Sequence, residues 1–227
     1  MKQKLFAIVL IAALPHVALA GGSAELRVTG RIVPDACVTS FSSGGVADYG
    51  QISTSAMQAG NATVLSRKQI TLSVACAIPT NVAIKLVDNK SSAVVPGLVR
   101  TSYGSVQGRN DQYNFGISND QGRQIGGYII SFDNQAATAS KASGVSNAAP
   151  TLEMNDARSG SSWRVTNDRA VRKDAFYTWA ASGTAPMKIR NVQTSLSIQA
   201  IVDKPENLPL KDEVPLSGSA TFELMYL

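Results

Sequence analysis

The chain ends on an alternation that leaves little choice of secondary structure. Leu216, Gly218, Ala220, Phe222, Leu224 and Tyr226 occupy every second position, with Ser217, Ser219, Thr221 and Glu223 between them. A period of two sends one set to one face of a strand and the other set to the opposite face. Chain ends ordinarily fray into polar tails, so a terminal strand this apolar is expected to be held in a sheet.

The same rhythm recurs upstream. Leu26, Val28, Gly30 and Ile32 alternate; so do Ile70, Leu72, Val74 and Cys76, then Val82, Ile84 and Leu86 before an Asp88-Asn89 turn. Phe115-Gly116-Ile117 and the run from Tyr128 to Phe132 flank Asn119-Asp120-Gln121-Gly122, which predicts a hairpin turn. A long alternation through Val192, Thr194, Leu196, Ile198, Ala200 and Val202 stops before Pro205. Short strands between Gly, Asn, Ser and Pro clusters predict an all-β sandwich. Residues 135–150, rich in Ala, Ser and Asn, lack periodicity and read as a loop.

The first twenty residues predict an export signal. Lys2 and Lys4 precede an apolar stretch too short to cross a bilayer, and Ala18-Leu19-Ala20 supplies the small-x-small pattern of a cleavage site. Residues 1–20 are therefore expected to be removed, leaving a chain that begins at Gly21. The one histidine, His16, lies in that segment. Without it, Ser-His-Asp and Cys-His mechanisms and imidazole-based zinc or copper sites drop out. No cofactor, metal or catalytic residue is expected. The formal charge of +5, which includes Lys2 and Lys4, is too small and too scattered for nucleic-acid binding.

An exported chain with two cysteines, Cys37 and Cys76, predicts one disulfide. The other reading, a redox pair, lacks the Cys-x-x-Cys spacing that lowers a thiol pKa.

Two further stretches hold chemistry-bearing residues. Residues 158–179 contain Trp163, Trp179, Arg164, Arg169, Arg172, Lys173, Phe176 and Tyr177, a mixture able to stack sugar rings. Asp156, Asp168 and Asp174 break the basic run, and packing of the aromatics at one end of the sandwich accounts for them. Glu153 with Asp156, and Asp203, Glu206, Asp212 and Glu213, read as solvated turns rather than acid–base or calcium sites.

Several segments together resemble chaperone–usher fimbrial subunits. They are Gly30-Arg31-Ile32-Val33-Pro34-Asp35-Ala36-Cys37, Asp48-Tyr49-Gly50-Gln51-Ile52, Leu72-Ser73-Val74-Ala75-Cys76, and the last strand with its penultimate tyrosine. Ile125-Gly126-Gly127-Tyr128 is similar to a subgroup described as probable major subunits of β-fimbriae. The resemblance implies an incomplete immunoglobulin-like β-sandwich (the pilin fold) over residues 36–227, completed by a donor strand. Residues 21–35 would be the donor extension, with Leu26, Val28, Gly30 and Ile32 as its apolar face. Phe222, Leu224, Tyr226 and the Leu227 carboxylate would line the acceptor groove. A periplasmic chaperone, an outer-membrane usher and neighbouring subunits would be the partners, and the cell surface the destination. Val214 stands where the family usually has a glycine, with Gly218 the nearest one, and residues 135–179 read as an insertion.

The expected function is a structural fibre subunit that supports adhesion and has no enzymatic activity. A minor adaptor or tip subunit that binds a host glycan is the alternative, and a secreted carbohydrate-active β-sandwich is a third reading.

Overall fold

The computed structural model describes residues 25–31, 36–98, 111–132, 136–140, 146–154, 162–165 and 170–227. The chain divides into two units, Met1–Pro34 and Asp35–Leu227. In the first, residues 25–31 carry no regular secondary structure. The strand predicted over 26–32 is thus absent from its described part, and Ile32 lies outside the described residues. Alternation supplies an apolar face, but a strand forms only against a partner that accepts its backbone hydrogen bonds.

The second unit is all-β, built of antiparallel, curled sheets. In chain order its strands are β1 (Cys37–Phe41), β2 (Thr63–Val64), β3 (Lys68–Thr80), β4 (Val82–Asp88), β5 (Phe115–Ser118), β6 (Gln124–Phe132) and β7 (Ala136–Ser140). They continue as β8 (Ser146–Met154), β9 (Arg164–Val165), β10 (Phe176–Trp179), β11 (Ile189–Val202), β12 (Ser217–Gly218) and β13 (Ala220–Tyr226). One run of pairings goes β1-β3-β11-β6-β5-β12. The other goes β9-β8-β10-β4-β13. The β7–β8 ladder joins them, because β7 also pairs with β11.

The period-two segments of β3, β4 and β11 deliver apolar sets to a shared core. Leu72, Val74 and Leu196 come from the first run of strands, and Ile84, Leu86, Tyr177 and Trp179 from the second. Full burial of one such aliphatic side chain contributes about 1.5–3 kcal/mol. β6 is buried on both faces: Ile130 joins this core, while Ile129 packs with Ile201, Leu98 and Ala170 on the other side. That is why β6 reads as a continuous apolar run. The predicted hairpin forms, with β5 antiparallel to β6 and a turn at Asp120–Gln121. Gly126 is needed there, since a Cβ would run into the Ile201 carbonyl oxygen of β11.

Two expectations are corrected. The described parts of residues 135–150 are strand: β7 and the start of β8 form a ladder from Ala136↔Pro150 to Ser140↔Ser146. Small residues carry a weak strand signal of their own, and the pairing of β7 with β11 and with β8 places them. The terminal alternation is not one strand either. It breaks at Ser219, so Ser217–Gly218 pairs with β5 in the first run and Ala220–Tyr226 pairs with β4 in the second.

Candidate functional site

Cys37 and Cys76 are joined, and they face each other in the β1–β3 register. The bridge fixes β1 to the edge of its sheet. Among the described residues β1 pairs only with β3, and β13 pairs only with β4. Each therefore has an unpaired outer edge, and the two edges belong to different runs of strands.

A groove of about 1080 Å³ opens past the end of these edges, lined by Phe41 of β1 and by Ala220 and Phe222 of β13. Its floor is apolar: Leu196, Ile198, Ala200 and Val202 come from β11, and Ile125, Tyr128 and Ile130 from β6. Phe41 and residues 45–54 form one wall, and residues 212–220 with Phe222 form the other. Tyr49 shapes the first wall, because its hydroxyl donates to the Ile198 carbonyl at 2.9 Å and accepts from the Ala200 amide at 3.0 Å. It thereby occupies backbone groups that a neighbouring strand would otherwise take. On the opposite wall, a Cβ on Gly218 would come within 2.8 Å of Tyr128 Cε1, so this glycine admits the Tyr128 ring to the groove. Burial pushes the Tyr128 phenol above its ordinary pKa, and the negative charge of Asp88 adds to the shift. The charged residues that line the groove are Asp48, Asp212 and Glu213.

The ladder between β13 and β4 sets which backbone groups face the open edge. Asn89 donates to the Ser219 carbonyl and Leu227 donates to the Asn81 carbonyl, so the odd-numbered residues turn toward β4. The backbone groups of Ala220, Phe222, Leu224 and Tyr226 therefore point away from β4, along the groove side.

The expected groove residues are not equivalent. Phe222 is half-buried, lines the groove and meets Phe41 edge-on at 5.0 Å between ring centroids. Leu224 is half-buried against the core. Tyr226 is 49% exposed, and its hydroxyl accepts the Cys37 amide at 2.9 Å. Leu227 is exposed. Of the expected donor face, Leu26 is 89% and Val28 91% exposed. Gly30 is exposed as well, and a Cβ on it would meet nothing within 4 Å. The floor residues and the 45–54 wall were not read as site residues from the sequence. Their alternation marked them as buried, and nothing local distinguishes a core position from the floor of an open groove.

Within the 158–179 stretch the aromatics of β10 are packed, whereas Trp163 is half-buried and Arg164 and Val165 are exposed. Trp179 and Tyr177 are buried, and the Tyr177 ring meets Phe132 at 5.5 Å. Burial first, then the Glu153 charge, pushes the Tyr177 phenol up, partly offset by the Arg172 amide that donates to it. Asp156, Asp168 and Arg169 lie outside the described residues. Asp203 is buried and accepts from the Lys204 amide and Asn207 Nδ2, so it is not a solvated turn residue. Glu206 accepts from the Gly60 amide.

Comparison with known proteins places the chain beside relatives of low identity. A family model described as "Protein of unknown function (DUF1120)" matches residues 26–129. Protein GltF of Escherichia coli (strain K12) is 26% identical over 239 residues, covering 96% of this chain and 93% of its own. "Uncharacterized protein YhcF" of the same organism is 22% identical over 219 residues, covering 90% of each.

Proposed function

We propose that this chain is a structural subunit of a chaperone–usher surface fibre, an immunoglobulin-like sandwich that lacks one strand and receives it from outside. The observation that carries the reading is the apolar-floored groove that meets the unpaired edge of β13 at Ala220 and Phe222. An edge with free backbone groups beside an apolar floor is a template for strand addition, in which main-chain bonds supply pairing and alternate side chains fill the floor.

The occupant is the segment around residues 25–32 of a second copy. Its even positions are apolar, and burial of Leu26, Val28 and Ile32 offers about 5–9 kcal/mol before ordering costs. Its odd positions carry Glu25, which pairs with Arg27 at 2.9 Å, and Arg31, whose charge is opposite in sign to the Asp48, Asp212 and Glu213 carboxylates that line the groove. Before assembly a periplasmic chaperone would lend the missing strand, and an outer-membrane usher would accept the subunit for export to the cell surface. No chemistry is assigned to the protein.

The test is strand uptake. The purified full chain is mixed with a labelled peptide of residues 24–35, and retention is read on a gel under mild detergent. Stable uptake of the wild-type peptide, with slower exchange and weaker retention of a Gly30→Asn peptide, supports the proposal. A chain that stays monomeric at high concentration and retains neither peptide overturns it.

A further inference from the structure

We infer that Phe41, Phe222 and Tyr226 form an end stop that fixes the register of the strand the groove accepts; the inference rests on the strand-addition reading above. Register needs a device of its own here. A strand that slides by two residues keeps the same face toward the floor, so alternation in the incoming segment cannot choose between registers two apart. Nor does the edge of β13 choose, because the backbone groups of Leu224 and Tyr226 face the same side as those of Ala220 and Phe222. An incoming strand meets a continuous ladder from Ala220 to the chain end.

What interrupts the ladder is contact between the two walls. The Phe41 and Phe222 rings meet across the gap at 5.0 Å, edge to face. Beyond them the Tyr226 hydroxyl accepts the Cys37 amide at 2.9 Å, tying β13 to β1 directly. Cys37 is itself held to β3 by the disulfide, so this end has a rigid anchor. The lining agrees: Phe41 and Phe222 contribute to the groove, whereas Cys37, Leu224 and Tyr226 do not. On the β13 side the lining runs from Asp212 to Ala220 and ends at Phe222, the last residue of β13 to reach the groove.

The experiment maps register. The full chain is refolded with excess peptide 24–35 carrying a photoreactive leucine at position 26, irradiated, digested and sequenced by mass spectrometry. The wild type is expected to give one cross-linked site in the groove. In Phe41→Leu/Tyr226→Phe a second site should appear, displaced by two residues along β13, with its share rising about fivefold. Tyr226→Phe alone removes only a hydroxyl from a half-exposed residue, and should shift the distribution in the same direction by less. One unchanged site in every variant, or several sites already in the wild type, overturns the end stop while leaving strand addition standing. No cross-link in the wild-type groove overturns both.

Discussion

Glu153 and Arg172 meet at 3.3 Å with the carboxylate side chain only 7% exposed, and Arg164 reaches the other carboxylate oxygen at 3.4 Å from a side chain 57% exposed. Two of the arginines of residues 158–179 thus meet on one buried acid. Removal of that carboxylate takes one charged partner from Arg172, whose side chain is 16% exposed. Glu153→Gln keeps the shape and should cost on the order of 3 kcal/mol in urea unfolding, because a buried charge loses its partner. Arg164→Ala should cost less than about 1 kcal/mol, as expected of a solvent-screened partner. Equal losses would show that burial does not govern this cluster.

The disulfide closes a sequence separation of 39 between β1 and β3. Chain entropy predicts a loss of about 4 kcal/mol for Cys37→Ser. Thermal unfolding with and without reductant checks it: reductant should lower the wild-type midpoint strongly and leave the variant unchanged. A wild-type midpoint indifferent to full reduction would refute the estimate.

Two glycines should separate stability from binding. At Gly126 an added Cβ meets the backbone carbonyl of Ile201, which cannot yield without disturbing the β6–β11 ladder. Gly126→Ala should therefore cost at least about 2 kcal/mol. At Gly218 the obstacle is the edge of the Tyr128 ring, which can tilt. Gly218→Ala is expected to melt close to the wild type while taking up the 24–35 peptide more slowly.

Alkaline pH should unfold the protein through its buried phenols. Tyr128 and Tyr177 both have folded-state pKa values raised above the ordinary 10.0, chiefly by burial. A raised acid binds its proton more tightly in the folded chain than in the unfolded one. Its contribution is complete below pH 10 and falls as pH climbs through the folded-state pKa. Stability measured by denaturant titration should be flat to about pH 10 and then decline. Tyr177→Phe should make the decline shallower, and an identical slope in the variant would exclude this origin.

The exposed residues of the N-terminal segment should matter to assembly alone. Leu26 and Val28 are 89% and 91% exposed. Leu26→Asp/Val28→Asp should change unfolding stability by no more than about 0.5 kcal/mol. The same variant should fail to form detergent-resistant oligomers. Loss of stability in the isolated chain would mean that these side chains already serve its own fold.

Some of this protein was legible in the residues, for a physical reason. Which face a strand residue occupies is a local property, set by the pleat, so Ile70, Leu72, Val74 and Cys76, or Leu196 with Ala200, announce their burial by spacing alone. The turn after β5 was equally local, since Asn119 binds the amides of Gln121 and Arg123 with its own side chain. Two cysteines left one possible internal bridge. Which strand lies beside which is not local. The small residues of β7 and the start of β8 became a ladder because they pair with each other and β11 stands beside β7. The break at Ser219 sends one alternating run into two sheets, although its period continues unbroken through the gap. The open edges of β1 and β13 are likewise a fact of neighbours, and a groove exists only where a strand and its floor come from segments far apart in the chain. Alternation encodes the face each side chain turns to; only the tertiary structure decides what stands opposite that face.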